Sequence, residues 1–165
     1  MTTANEKTIS TNVTLRSVIH PDDDHFLKDL YISTRDDLAG LFADEAQQLT
    51  LLTIQYNAQV ASYAEQFPDA SHDIVMLDGK AVGRIIVERR SSVICFVDIA
   101  LLPDARNQGI GTELIKLLIE ESAESSVPIE LSVLKTNRAQ RLYERLGFRV
   151  VGDKGTHYLM QFEQQ

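Results

Sequence analysis

The sequence predicts an α/β fold: one mixed central sheet of six to seven strands with helices on both faces. Three observations carry this. β-Branched runs with hairpin-turn chemistry fill residues 73–101. An amphipathic helix pattern over about 109–125 leads directly into the strand pattern Ile129–Leu134. A second short helix pattern, 137–146, leads into two closing strand patterns. Strand 93–101, helix 109–125 and strand 129–134 form a βαβ unit, whose strands run parallel with a right-handed crossover. The earlier strands join by hairpins, so the sheet is mixed.

Taken in order, residues 1–11 are polar and read as a flexible tail ahead of a single domain, 12–165. Val13 and Leu15 alternate with Thr14 and Arg16 as a first strand. His20-Pro21-Asp22-Asp23-Asp24 places Pro and carboxylates where a helix opens, at the positive end of its dipole. A short helix through Phe26, Leu27 and Leu30 follows. Over 44–67, Leu49, Leu52, Tyr56, Val60, Tyr63 and Phe67 recur at helical spacing as one apolar stripe, beside a polar stripe of Gln48, Gln55, Gln59, Ser62 and Gln66. Asp78-Gly79-Lys80 is turn chemistry between strands 73–77 and 81–89. Ile110, Leu114, Leu117 and Leu118 make the packed face of helix 109–125. Ala139, Leu142, Tyr143 and Leu146 do the same for helix 137–146. Gly147 suits a left-handed C′ position there, and Phe148 supplies the closing contact. Strands 149–152 and 157–161 complete the chain.

Composition narrows the function. The chain has 165 residues, enough for one domain with a substantial core, and 24 acidic against 16 basic side chains give a net charge of −8. No basic stripe is present, so neither nucleic acid nor a membrane surface is expected as a partner. Cys95 is the single cysteine, which excludes an intramolecular disulfide, and its apolar neighbours make it a buried side chain. Met1–Thr11 carries no apolar signal segment and no apolar run approaches about 20 residues, so the cytoplasm is the expected compartment. His20, Asp22, Asp23, Asp24 and His25 cluster, but helix-start chemistry accounts for them and no metal is expected.

The stretch Pro103-Asp104-Ala105-Arg106-Asn107-Gln108-Gly109-Ile110-Gly111-Thr112 follows a strand and opens a helix. Such a loop aims several backbone N–H groups at one spot, backed by a helix N-terminus: an anion site that fits a diphosphate. Gly109 and Gly111 let the main chain approach closely, and Arg106 adds charge at the rim. The spacing matches neither the triphosphate loop G-x-x-x-x-G-K-[ST] nor the dinucleotide motif G-x-G-x-x-G. The competing reading is a tight strand–helix turn that binds nothing.

Arg106-x-x-Gly109-x-Gly111 after Phe96–Leu101 resembles motif A of the GNAT superfamily of N-acetyltransferases. Asn137-x-Ala139-x-x-Leu142-Tyr143-Glu144-x-x-Gly147-Phe148 resembles that family's second cofactor segment, and the spacing of one helix, one strand, then Asn agrees. The resemblance is strong over 93–150, weaker over 73–92, and topological before residue 70. It implies an enzyme that moves an acetyl group from acetyl-CoA to a primary amine by direct attack. The amides of Asn107, Gln108, Gly109, Ile110, Gly111 and Thr112 would hold the coenzyme A pyrophosphate. The main chain of Ile99, Ala100 and Leu101 would pair with the pantetheine, an amide of that strand would polarise the thioester carbonyl, and Asn137 and Ala139 would complete the cofactor site. Tyr143 would protonate the departing thiolate. Some relatives place a Glu base in the strand matching 129–134; Ser132 stands there here. Asp98, then Glu130, are the candidate bases, with a water chain to bulk as the alternative. The helices over 22–67 would roof the acceptor side, with Gln55, Gln59 and Tyr63 as substrate-binding residues. Asp36, Asp37, Asp44 and Glu45 read first as a solvated acidic face, and would favour a cationic acceptor if they face it. The orientations of Arg84 and His157 stay open. So does the acceptor: a small-molecule amine is expected first, a peptide N-terminus or lysine next, and a non-catalytic acyl-CoA sensor is the rival class. Exposed final strands offer a route to a homodimer.

Overall fold

A computed structural model describes residues 7–10 and 12–164. Its strands are β1 (Lys7–Ser10), β2 (Val13–Ser17), β3 (Ser71–Leu77), β4 (Lys80–Arg89), β5 (Ile94–Leu101), β6 (Ile129–Leu134), β7 (Arg149–Asp153) and β8 (His157–Phe162). Its helices are α1 (Asp24–Ser33), α2 (Glu45–Gln66), α3 (Ile110–Ser125) and α4 (Ala139–Arg145). All eight strands form one sheet in the order β1-β2-β3-β4-β5-β6-β8-β7. The βαβ unit is present as expected, with β5 and β6 parallel and the other neighbours antiparallel. The strand beyond the expected seven is β1, within the stretch read as a tail. It pairs with the backbone edge of β2, which would otherwise present a row of unpaired donors and acceptors. The remainder of that expected tail, residues 1–6 and 11, lies outside the described residues.

Alternation along the strands separates two layers. Val75, Ile85, Val87, Ile94, Phe96, Leu131, Val133 and Met160 join Ile110, Leu114, Ile115 and Leu118 of α3 and Tyr143 of α4 in the main core. Ile74 and Ile86 alternate with these and point the other way, towards the face on which Leu27, Leu30 and Leu52 of α1 and α2 are buried.

The long helix α2 differs from its sequence reading. Leu49 and Val60 are exposed, at 50% and 46%, and Leu52 is its one fully buried residue. Gln55, Tyr56, Gln59, Ser62 and Tyr63 are instead partly covered. The covered face therefore mixes aromatic and amide side chains, because it stands over a polar cleft as well as over core. The hairpin turn is as expected, with Asp78 and Gly79 at φ 50° and 77°. Gly147 has φ 97°, and the Phe148 N–H donates to the Tyr143 carbonyl at 3.0 Å, closing α4.

Candidate active site

The cleft arises where the sheet comes apart. β5 and β6 pair only at Ile94–Ile129, Cys95–Glu130 and Phe96–Leu131. Beyond Phe96 the β6-facing edge of β5 is free, while its other edge continues to pair with β4 through Ile99, Ala100 and Leu101. The β4–β5 register also shifts between Ile86–Asp98 and Val87–Phe96, leaving Val97 as a bulge without a partner on either side. A bulge at this point turns the strand and frees its backbone groups. The resulting cleft of about 630 Å³ is lined by Phe96–Ala100, Leu131–Leu134, Thr136, Asn137, Tyr143 and His157. From α1, α2, β4 and the connection after α1 come Tyr31, Thr34, Arg35, Asp37, Gln59, Tyr63 and Arg84. A second chamber of about 630 Å³ shares Tyr63, Phe96, Val97, Leu131, Ser132 and His157 with it and adds Arg90, Glu130 and Lys154. A wider groove of about 830 Å³ between α4 and the β7–β8 hairpin holds no residue of β5 or of the Arg/Gly loop.

At one end of β5 stands the loop that the sequence singles out. A 3₁₀ turn, Pro103–Ala105, leads into Asn107 and Gly109, both left-handed at φ 59° and 82°, and α3 begins at Ile110. The amides of Ile110, Gly111 and Thr112 open the helix and have no carbonyl within it to bond. A Cβ built on Gly111 would meet only Ile99 Cδ1 at 3.9 Å, so the space over this turn is open. An unfilled concavity rimmed by helix-opening amides, beside a strand edge with free backbone groups, fits a diphosphate attached to an extended arm. Arg106 does not stand at the rim as the sequence suggested. Its Nε donates to the Leu101 carbonyl at 2.9 Å and its Nη2 to the Ser33 carbonyl at 3.0 Å. Arg106 thus ties the loop to the end of α1.

Asn137 and Tyr143 face the cleft from α4 and its approach. Asn137 Oδ1 accepts from the Ala139 N–H at 2.9 Å and so caps the helix opening. Tyr143 packs edge-on against Phe96 and at a tilt against Phe148. Burial, helped by the negative charge of Asp98, pushes its phenol up to about 12. Tyr63, on the roof, is likewise pushed up to about 12 by burial and then by Asp98, with Arg84 opposing. Both phenols therefore keep their protons at neutral pH.

Arg84 is the charged centre of the roof. It is 3% exposed and lies in the middle of β4. Its Nε and Nη2 both donate to Asp98 Oδ2, at 3.0 and 2.7 Å, and Nη2 also donates to Gln59 Oε1 at 2.7 Å. Asp98 is thus ion-paired through one oxygen, Oδ2. Gln55 does not line the cleft: its Oε1 accepts from Arg35 Nη1 at 2.8 Å. Arg35 also donates to Tyr31 Oη and, from Nε and Nη2, to both carboxylate oxygens of Asp37. Gln59, Tyr63, Asp98 and Tyr143 are therefore brought together, whereas Gln55 acts from behind. Glu130 sits in the adjoining chamber and accepts from Gln161 Nε2 at 3.2 Å. His157 lines both chambers and contacts Thr156 Oγ1 through Nδ1 at 2.8 Å. Sequence reasoning did not single out Arg35; the signal was a cation standing directly before Asp36 and Asp37. Among the described residues no three His, Cys, Asp or Glu gather as they would around a metal, and no helix is long and apolar enough to cross a membrane.

The GNAT acetyltransferase domain model matches residues 69–150, which span β3 to the start of β7. The fold is similar to that of the PaiA N-acetyltransferase from Thermoplasma acidophilum, solved with coenzyme A. The identity is 14% and the TM-score 0.69, over 93% of this chain and 100% of that one. A GNAT family acetyltransferase from Elizabethkingia anophelis with acetyl-CoA bound matches at 15% identity and TM-score 0.61, over 94% and 100%. One from Listeria monocytogenes matches at 18% and 0.63, over 97% and 100%. With its sheet parted between β5 and β6, its Gly-rich helix opening and its matching domain model, the chain belongs to the GNAT superfamily of acetyltransferases.

Proposed function

We propose that this protein is an N-acetyltransferase that takes acetyl-CoA as its donor and a primary amine as its acceptor. The observation that carries the reading is the free edge of β5 beyond Phe96, running from Tyr143 to the amides that open α3. Ile99, Ala100 and Leu101 lie along the edge of β5 that has no strand partner, where an extended arm would pair. Asn107, Gln108, Gly109, Ile110, Gly111 and Thr112 offer N–H donors to its diphosphate, and Asn137 and Ala139 flank its reactive end. Acetyl-CoA would supply a thioester, whose carbonyl carbon an amine can attack. The Val97 bulge frees an amide to polarise the carbonyl oxygen, worth several kcal/mol where water is excluded.

The acceptor must arrive neutral or lose a proton as it attacks. As the new C–N bond forms, the C–S bond breaks and the sulfur takes the electron pair. Tyr143 donates its proton to that sulfur and regains one from water. The proton on nitrogen leaves through the open side of the cleft. Asp98 stays beside this path with Oδ1 outside its ion pair, where its charge draws the ammonium in. A direct displacement needs no acyl-enzyme, and Cys95, at 8% exposure, is not placed as a nucleophile.

Calorimetry with acetyl-CoA, followed by a turnover screen over amines, amino acids, aminoglycosides and peptides, tests the reading. Micromolar binding that Gly109→Glu abolishes, with thiol release dependent on an amine, is the expected result. Binding without transfer to any acceptor would favour the acyl-CoA sensor, a rival that the ion-paired Asp98 and the presence of Ser132 keep in view. Absence of binding would refute the cofactor site.

A further inference from the structure

The Arg84–Asp98 pair is asymmetric, and the asymmetry bears on the acceptor. Arg84 spends Nε and Nη2 on one oxygen of Asp98 and on Gln59. Its third nitrogen, Nη1, has no acceptor among the described residues, and neither does Asp98 Oδ1 have a donor. The buried side-chain polar atom left without a partner among those residues is His72 Nε2. Arg84 Nη1 is not among such atoms; Arg84 as a whole is 97% covered, and it lines the cleft together with Asp98. A guanidinium in a strand interior with two N–H bonds unspent is costly unless something accepts them.

The charges of the roof sharpen the point. Arg35 is closed on both oxygens of Asp37, and Arg90 on Glu88. Those carboxylates are not free to collect a polycation. On the roof side of the Val97 bulge, Arg84 Nη1 and Asp98 Oδ1 offer one cationic donor and one anionic acceptor on a single ion pair, while Lys154 and Glu130 line the adjoining chamber. That arrangement is complementary to an ammonium and a carboxylate or carbonyl group borne on the same carbon.

Resting on the acetyltransferase reading above, we propose that the acceptor is an α-amino acid or an α-amino amide. Its carboxylate or carbonyl oxygen accepts from Arg84 Nη1, and its amine is drawn by Asp98 Oδ1. Arg84 is then a specificity-determining residue. Gln59, which holds its Nη2 edge, fixes the guanidinium in plane. The shared chemistry is an amine beside a carbonyl oxygen, supplied either by a free amino acid or by the first residue of a peptide.

The test compares matched sets on the wild-type protein: leucine, leucinamide and isopentylamine, then phenylalanine, phenylalaninamide and phenethylamine. The expected result is a kcat/KM at least tenfold higher for the acid or the amide than for the bare amine, mostly in KM. Preference for the acid identifies a free amino acid, and preference for the amide a peptide terminus; either supports the proposal. Arg84→Lys, checked for retained acetyl-CoA binding, should shrink the ratio towards one. Equal or better turnover of the bare amines would overturn the proposal while leaving the acetyltransferase reading intact. If no compound is acetylated, the acetyltransferase reading fails first, and calorimetry of the same compounds on the coenzyme A-saturated protein then decides. Binding of the acid or amide, but not of the bare amine, supports Arg84 recognition, and no binding overturns it.

Discussion

Gly83 and Gly111 should fail in opposite ways when each is changed to Ala. Gly83 pairs with Leu101 across β4–β5, and a Cβ there would stand 2.4 Å from the Ala100 carbonyl oxygen and 2.6 Å from Leu101 Cδ2. The Leu101 methyl can rotate away, but the Ala100 carbonyl is backbone and cannot. The strands must part by close to 1 Å, an overpacking that costs about 3 kcal/mol. For a chain of this size that is a fall in Tm of about 6–12 °C. The displaced segment is the part of β5 assigned to the cofactor arm, so acetyl-CoA affinity should fall with stability. Gly111 differs. Its Cβ would touch only Ile99 Cδ1 at 3.9 Å, and Ala in the first turn of α3 gains about 0.5–1 kcal/mol. Gly111→Ala should therefore unfold no earlier than wild type yet bind acetyl-CoA at least tenfold more weakly, because its methyl enters the space assigned to the pyrophosphate. Urea titration and calorimetry on the two variants are sufficient. A Gly83→Ala protein with a wild-type midpoint would refute the steric argument, and a Gly111→Ala protein with full affinity would refute the placement of the pyrophosphate.

Other expectations are independent of these. Burial, followed by the charges of Arg84 and His20 and opposed by Asp23, lowers His72 from 6.5 to about 4. A histidine kept neutral in the fold stabilises it above its unfolded pKa, so about 2–3 kcal/mol should be lost as pH falls from about 6.5 to about 4. Urea midpoints against pH should show this slope, and His72→Gln should flatten it. Asp23, held down to about 2 chiefly by its bonds from Arg16, should add a second loss only between about 3.8 and 2. Tyr143→Phe keeps the ring packing on Phe96 and Phe148, so it should lower kcat about 100-fold or more with cofactor affinity little changed. Single-turnover thiol release would reveal it, and an unaltered rate would remove Tyr143 as the acid. Arg106→Ala strands the carbonyls of Leu101 and Ser33, so it should cost about 2 kcal/mol, read as a shifted denaturation midpoint.

The order of elements along the chain and the βαβ unit were legible because β-branched runs and the 3.6-residue period of 109–125 are local signals. Gly109 was legible from its place in the motif, where the main chain comes close to an anion, and the structure adds its left-handed φ of 82°. Side-chain direction was less so. Arg106 was read from its motif, but its length lets it reach back to two carbonyls, a choice made by tertiary neighbours. The α2 stripe misled because Leu49 and Val60 satisfy helical periodicity while the helix turns its amides to the cleft. Arg84 had a signal that sequence alone could not orient: a charge inside Val82–Val87. Which carboxylate would meet it depends on the β4–β5 register, and a one-residue bulge at Val97 sets that register.

The three residue pairs that join β5 to β6 give the sheet a seam. On one side stand β1 to β5 with α1 and α2, on the other β6, β8 and β7, and below Phe96 little backbone bonding crosses between them. An extended ligand laid along the free edge of β5 would occupy the place of a missing ninth strand. Donor binding would then act as mortar as well as supply, slowing amide hydrogen exchange on both banks of the seam at once. The same protein would be stiffest when charged for reaction and loosest after release, so its turnover would be coupled to the mechanical integrity of its own sheet.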